Sequence, residues 1–560
     1  GRAGRRTDSA AFALTFAQRR SHDLNYYNRP KSMVKGEIKP PVTVLTNEKI
    51  VRRHLHSIVF GAFFRWASEK HGQIYKTTGE FFAPENEMPG TELLAQYLET
   101  KPEAVQQAIQ RVLPKGLHQS FGPDEWAWTS ELINAEEKGT LDKARLSVTT
   151  ELEDFAKLED KAAVERKYKQ AGYFVSVQNQ IRKRNLIGFL ATYNVLPKYG
   201  FPTDVVELKT NHLTIRNANR IELDRDLRMA ISEFAPGSEV VAAKVVWRSQ
   251  GIRKLPNRTW EPFKYIVCGE CHRFHYAVNE LPMLCRGCGN TLSDHPEMHG
   301  KFIVPEQGFI AGNQTRSPGE TPPQRIYASR VFFADYRLPE SDKLIDTPEE
   351  IDQVVSSSRA QVYKRYSRHG WLAVVNNGWG RGFRICSFCG YAEPVPLTST
   401  RVKTTHNNPL SSESCNGKFV TYHLGHRFMT DVLELRTTLP SFGNTHTYSL
   451  LYALLDGASE ALGISRNDID GTIFPRGHEQ PPALVLFDNV PGGAGHVLRI
   501  YENLRSTFEA AYERLDRCEC GEETSCYNCL RNYRNQYFHD DLQRGSALRN
   551  LRTLLGVGIE

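Results

Sequence analysis

Apolar and polar residues follow two different periods along this chain. The run AAFALTFA at 10–17 is apolar nearly throughout, the pattern of a buried strand. KPPV at 39–42 breaks the chain. The stretch TNEKIVRRHLHSIVFGAFFRW then takes up a helical period: Ile50, Leu55, Ile58, Val59 and Phe63 share a face, with Thr46 or Asn47 as N-cap. A long charged helical region is predicted over about 130–185, with Leu152, Phe155, Ala156, Ala163 and Ala171 as its apolar stripe, ending in the basic QIRKRN. PKYGFP at 197–202 reads as a rigid turn, since Pro and Gly punctuate both ends.

From about 204 the period shortens to two. VVAAKVVW and TWEPFKYIV predict strands, and 329–385 is again strand-rich, after a polar, Gly/Pro-rich loop at 308–325. The C-terminal third is mixed. PPALVLFD reads as a buried strand and PGGAGH as a tight glycine turn. Val497, Ile500, Tyr501, Leu504, Phe508, Ala511 and Leu515 then recur at helical spacing. These patterns predict a mixed α/β chain. Its 560 residues are too many for a single core, so several domains are expected.

Composition changes this picture little. Hydrophobic content of 40% and charged content of 24% are ordinary for a globular protein. A net charge of +7 is compatible with nucleic acid without arguing for it. No apolar run is long enough to span a bilayer and no signal peptide is visible, so the expected location is cytoplasmic.

The cysteines change it more. All eleven fall in three groups, and an odd total argues against a closed disulfide framework. Cys268-x2-Cys271-x13-Cys285-x2-Cys288 is the layout of a zinc ribbon, in which each C-x-x-C knuckle supplies two thiolates of a tetrahedral site. Cys518-x-Cys520-x5-Cys526-x2-Cys529 can also supply four thiolates. Zinc is the best match, an iron–sulfur cluster the minority alternative, and LRNYRNQ is expected to follow as a basic helix. Cys386-x2-Cys389 and Cys415 lack a fourth ligand. His406, in a polar loop between them, is favoured over His423 and His426, against the plainer alternative of a lone knuckle with Cys415 merely buried. Two or three zinc ions per chain are therefore expected.

LVLFDNVPGGAGHVLRI, followed by CECGEETSCYNCLRNYRNQ and LQRGSALRNL, resembles the C-terminal zinc-binding domain of superfamily 2 helicases of the mitomycin repair factor A group, a domain also found in phage-defence proteins. ICSFCGYAEP, Cys415 and LGHRFMTDVLEL resemble the upstream part of that domain; YNVLPKYGFPTDVVEL and ISEFAPGSEVV resemble the segment joining it to the motor. The resemblance makes GRAGRR, at 1–6, similar to the sixth helicase motif. It implies that Arg2 and Arg5 reach the γ-phosphate of ATP, where a permanently charged guanidinium braces a transferring phosphoryl group. No GxxxxGK[ST] loop and no DEAH-like box occur in the chain. The expectation is the C-terminal part of a longer ATP-dependent DNA helicase, inactive alone, with ATP and magnesium bound only in the full-length protein.

The expected divisions are 1–35, the end of a second RecA-like domain; 36–203, a helical, winged-helix-like linker; 204–264, strand-rich; 265–290, the zinc ribbon; 291–380, strand-rich; and 381–560, the α+β zinc-binding domain. The expected partner is single-stranded or tailed duplex DNA, with other subunits of a repair or defence complex. Arg182, Lys183 and Arg184 are candidate phosphate contacts, weighed evenly against a solvated helix end. Trp371, Trp379 and Phe383, near Arg381 and Arg384, are candidates for stacking on bases, with core packing as the bland alternative. Arg531 and Arg534 are candidate backbone contacts. Asp488 and His496 are too few for a metal nuclease, and PGGAGH reads as a tight turn before it reads as a phosphate cradle. The rival to the helicase reading is a non-catalytic zinc-stapled scaffold.

Overall fold

The computed structural model describes residues 14, 16–17, 21–31, 48–197 (except 86, 135–138 and 194), 205–336 (except 211, 214, 216–217, 219–220, 255–259, 261, 279, 295 and 320–328), 352–356, 360–396, 405–439 and 444–557 (except 478–479, 491 and 533). GRAGRR, with Arg2 and Arg5, lies outside them, as do the Thr46 and Asn47 caps and most of PKYGFP. Of the expected strand at 10–17 only Leu14, Phe16 and Ala17 are described. None is in a strand, and Leu14 and Phe16 are exposed, with no apolar layer over them among the described residues.

Residues 48–196 form a helical unit with its own apolar core, in which Leu55, Phe63, Phe81, Leu94, Phe155 and Leu190 are buried. The long charged region is two helices, Thr140–Val164 and Tyr168–Arg182, separated at Arg166, whose φ of 57° ends the first. Its buried stripe runs Val148, Leu152, Phe155 and Ala162; Ala163 is exposed, because seven residues beyond Phe155 lies Ala162 on the same face. The short helix Thr78–Phe82 begins with a capping box between Thr77 and Glu80. Among the described residues of this unit no winged-helix hairpin is present; its strand-like pairing is the isolated Thr77–Asn185 bridge.

The rest is built on sheets. A five-stranded sheet runs in the order Asp224–Asp226, Val205–Lys209, Phe309–Ala311, Val245–Ile252, Glu239–Ala242. It carries the helix Leu227–Glu233 within the expected strand-rich segment, capped by the Asp226 carboxylate. An eleven-stranded sheet is organised by two long antiparallel strands, Gln361–Asn376 and Phe419–Thr437, paired from Val362 with Thr437 to Asn376 with Leu424. A register shift at Gly370 lets them pass; a Cβ there would lie 2.3 Å from Val432 Cγ1.

PPALVLFD forms the strand Ala483–Asp488, buried along its whole length. Period two divides it between two cores. Leu484 and Leu486 face the helices Asn444–Leu462, Leu504–Asp516 and Arg544–Leu555; Val485 and Phe487 face the other side with Phe333 and Leu372. Both faces are covered, so the strand reads as continuous apolar sequence rather than an alternation. No described helix is long and apolar enough to cross a membrane.

Charged groups are buried inside this sheet, Glu434 among them. Glu434 is 1% exposed and accepts from Arg436 Nε at 2.6 Å and from the Tyr336 hydroxyl at 2.7 Å, with Arg365 Nη1 at 3.5 Å. Removing the carboxylate strands the buried Arg365 charge. Glu434→Ala is expected to cost about 3–5 kcal/mol, measurable by denaturant unfolding; a loss below 1 kcal/mol would show that the group is dispensable.

A second prediction concerns His56, buried in the helical unit with Nδ1 2.9 Å from the Val195 carbonyl. Burial, chiefly, pushes its imidazole down to about 4. The unfolded chain therefore binds the extra proton first, and stability is lost as pH falls from about 6.5 towards 4. The loss attributable to His56 is about 3 kcal/mol. Thermal unfolding of wild type and His56→Gln across that window checks this: the variant's curve should be flatter.

Candidate metal centres

Thiol ligands of a single ion must sit at the corners of a tetrahedron, and a metal–sulfur distance of about 2.3 Å sets its edge at about 3.8 Å. Among the described residues three groups meet this condition: Cys268/Cys271/Cys285/Cys288, Cys386/Cys389/His406/Cys415 and Cys518/Cys520/Cys526/Cys529, each with its donor atoms within 4.8 Å of one another.

The first group closes the strands Phe263–Cys268 and Phe274–Ala277, which belong to the large sheet through Pro296–Ile303. Cys268 Sγ lies 3.6 Å from Cys288 Sγ, and Cys271 Sγ 3.4 Å from Cys285 Sγ. The knuckle turns use left-handed backbone at His272 and Gly289. The Gly287 amide donates to Cys285 Sγ, and His275 Nε2 stands 3.3 Å from the same sulfur. Sulfurs at these separations are too far apart for disulfides, which hold them at about 2.05 Å.

In the second group Cys386 and Cys389 come from the turn after the strand Phe383–Cys386. His406 and Cys415 face each other across a two-residue ladder, His406–Asn407 against Ser414–Cys415. Cys389 Sγ is 3.2 Å from His406 Nε2, and Cys386 Sγ 3.8 Å from Cys415 Sγ. A side chain at Gly417 would lie 2.5 Å from Cys386 Sγ, so the backbone approaches the cluster closely. His423 and His426 are elsewhere: both are buried, and His423 Nδ1 meets the Tyr265 hydroxyl at 2.6 Å.

The third group is the tightest in sequence. Cys518 Sγ lies 3.5 Å from both Cys520 and Cys526, and Cys520 Sγ 3.6 Å from Cys529. Hydrogen bonding from the Cys529 thiol holds Cys526 down at about 4, while burial and its neighbours push Cys520 up to about 12. A divalent ion would relieve this imbalance by ionising all four thiols. Several irons would place the thiolates on different metal atoms and hence further apart, so the spacing fits a single ion.

The segment after this cluster is not the expected helix. LRNYRNQ runs as turns into the short Gln536–Phe538 helix. The Asn532 side chain accepts from the Arg534 and Asn535 amides, and Asn535 accepts from the Asn532 amide. These local bonds compete with the helical ladder.

The PGGAGH turn resolves in favour of its plain reading. Gly492, Gly493 and Gly495 have φ of 80°, 77° and 80°, and a Cβ on Gly493 would lie 2.2 Å from the Asp431 carboxylate. The amides of Ala494, His496 and Val497 point inward and donate to the buried Asp488 carboxylate. The loop cradles the protein's own anion, not a phosphate.

The candidate nucleic-acid residues separate clearly. Arg182 donates to the Ala83 carbonyl and Arg184 pairs with Glu151 at 2.9 Å; both brace the helical unit, and Lys183 alone of the three is exposed. Arg531 staples the last cysteine loop through Ser525 and the His539 carbonyl. Arg534 is exposed, reaching the Asn467 carbonyl. Arg384 pairs with Glu393 at 2.8 Å and covers the Phe419 ring; Arg381 is exposed, touching the Pro396 carbonyl. Phe383 is fully buried and Trp371 lies under Arg427, whereas Trp379 is 68% exposed. Phe388, between two cluster cysteines, is 77% exposed. Sequence reasoning missed it; no pattern separates it from Tyr527, which sits inside another C-x-x-C knuckle but packs edge-on against His539.

Residues 450–530 match the family model of the MrfA Zn-binding domain. That span holds the strand Ala483–Asp488, the glycine turn and the third cluster, while the first two clusters lie outside it. Over 99% of its length the chain aligns with the Druantia protein DruE of Escherichia coli (strain UMEA 4076-1), at 26% identity, and it spans 32% of that protein, about a third of the curated relative. Among solved structures it is similar to the DUF1998 helicase MrfA bound to DNA, at 13% identity over 64% of this chain and 36% of that one, with a TM-score of 0.28. MrfA alone gives 12% identity, 63% and 34% coverage and the same TM-score. An overlay that loose carries no argument. Zinc is the metal supported by the family match and by the three clusters together.

Elemental analysis of the purified chain is expected to find three zinc ions, and His406→Ala two. Two in the wild type would remove the Cys386/Cys389/His406/Cys415 group from the set.

Proposed function

We propose that this chain is the DNA-binding C-terminal part of an ATP-dependent DNA helicase of phage defence or DNA repair. Three zinc-stapled modules guide a strand past a motor, which Arg2 and Arg5 help to complete. The alignment with DruE along 99% of the chain carries this reading, supported by the MrfA Zn-binding domain match at 450–530.

One local feature supports this reading. Trp379 sits in the turn between Asn376 and Phe383 with φ of 61°, among Gly378, Gly380 and Gly382, all left-handed. A left-handed tryptophan costs about 1–2 kcal/mol, and an exposed indole recovers none of it by packing. Such an outlier makes sense as a surface for stacking. Arg381 lies on the same turn. An exposed ring with a guanidinium beside it in the chain is the chemistry of a sequence-tolerant stacking surface for unpaired bases.

Anisotropy with a labelled single strand across a salt series is the test. Binding should weaken steeply with salt. Trp379→Ala should lower affinity by about 1–3 kcal/mol, roughly five- to hundredfold, with zinc content unchanged. Arg381→Ala should reduce the salt slope by about one. ATP hydrolysis by this chain alone should not exceed background. The scaffold reading rests on Met283 and Leu284, exposed apolar residues beside the ribbon cysteines. Absence of DNA binding at low salt would favour it.

A further inference from the structure

Beside the Cys386/Cys389/His406/Cys415 cluster lies a cavity of about 360 Å³. We propose that it is a specific pocket for one unpaired nucleobase. This deepens the DNA-binding reading above and rests on it for the source of the base.

The cavity's chemistry is unusual. Five side-chain carboxamides line it: Gln250, Asn313, Gln314, Asn407 and Asn408. Each offers a donor and an acceptor in one plane, the complement of a base edge. Asn408 spends its oxygen on the Leu410 amide, and Asn313 reaches Ser412. The exposed side chains of Gln314 and Asn407 make no hydrogen bond among the described residues. The aromatic wall is Tyr391, His406 and Phe419, packed with ring centroids 4.7–6.1 Å apart. Glu393 also lines the cavity, but Arg384 and the Tyr391 hydroxyl hold its two oxygens.

Size and charge fit the same ligand. The volume lies near the lower end of small-molecule sites, about 300–1,000 Å³, enough for a base but not a duplex. Arg248 shares a face of the strand Val245–Ile252 with Gln250, and it acts electrostatically on Tyr391. It is exposed, with no ion pair among the described residues, so it adds long-range attraction for a polyanionic strand and leaves the holding of the base to the carboxamides. Asn407 follows His406 directly, so the metal cluster holds the pocket's most available carboxamide in place.

The test uses the whole zinc-loaded chain in two arms. In the first, saturation-transfer NMR is recorded with each deoxynucleoside monophosphate and with deoxyribose 5-phosphate. Saturation should reach the base protons, and deoxyribose 5-phosphate should show no binding. Asn407→Ala and Gln314→Ala should each weaken nucleotide binding roughly threefold to tenfold, the worth of one hydrogen bond. In the second arm, binding of an ordinary single strand is compared with that of an abasic strand of equal length. Wild type should prefer the ordinary strand, and the double variant should lose the preference while keeping its salt-dependent binding and zinc content. If DNA binds but nucleotides do not, and the variant matches wild type, the pocket proposal is overturned and the DNA reading survives. If nucleotides bind through Asn407 and DNA does not, the reverse holds. Equal affinity for ordinary and abasic strands, or binding of deoxyribose 5-phosphate, would assign the cavity to sugar phosphate and overturn the proposal.

Discussion

The pairing of Gln361–Asn376 with Phe419–Thr437 is the constraint on which the other sheet elements depend. Because both faces of this ribbon are covered, a slip of one residue would send Leu433 and Leu435 to the wrong core and drag Glu434 from its arginines. Each metal module hangs from it. Phe419–Tyr422 pairs with Phe383–Cys386, which carries the second cluster. His423 and Leu424 pair with Phe302 and Ile303, and through them with the ribbon of the first. Val432–Leu435 pairs with Ala483–Asp488, which leads into the turn and helices before the third.

The metal clusters and this sheet divide the work of stability between them. The sheet's cores are apolar and extensive, whereas the first two cysteine clusters have only small apolar cores of their own; the third packs onto the large C-terminal core through Cys529 and Leu530. For such loops, binding free energy is folding free energy. That explains how Phe388, inside the second knuckle, can stay exposed. A metal-stapled turn can hold an aromatic ring in solvent, because its conformation does not depend on burying that ring.

The sequence also overstated some candidates in an instructive way. Arg182, Arg184 and Arg531 stand near other basic residues in sequence, yet each guanidinium gives at least one donor to the protein itself. Basic spacing along a chain shows where charge is, but not whether a carbonyl or carboxylate from a distant segment has already claimed it. The carboxamide cavity shows the opposite failure. Its carboxamides come from three separated stretches, around 250, 313 and 407, and none forms a pattern by itself.

What the sequence determined by itself was local. The C-x-x-C spacings set which thiols can converge, since a knuckle is closed by its own turn. The apolar run at 483–488 reads as a buried strand and PGGAGH as a tight glycine turn before a phosphate cradle, and the structure has both, with left-handed backbone at Gly492, Gly493 and Gly495. Tertiary structure decided what depends on distant partners. It buried Phe383 and exposed Trp379 four residues away, and it turned LRNYRNQ from a helix into asparagine-held turns. It also brought His406 to Cys389, across a loop that no spacing rule measures. The physical reason is the same throughout: a short segment fixes its own geometry, but burial and coordination are properties of whatever folds against it.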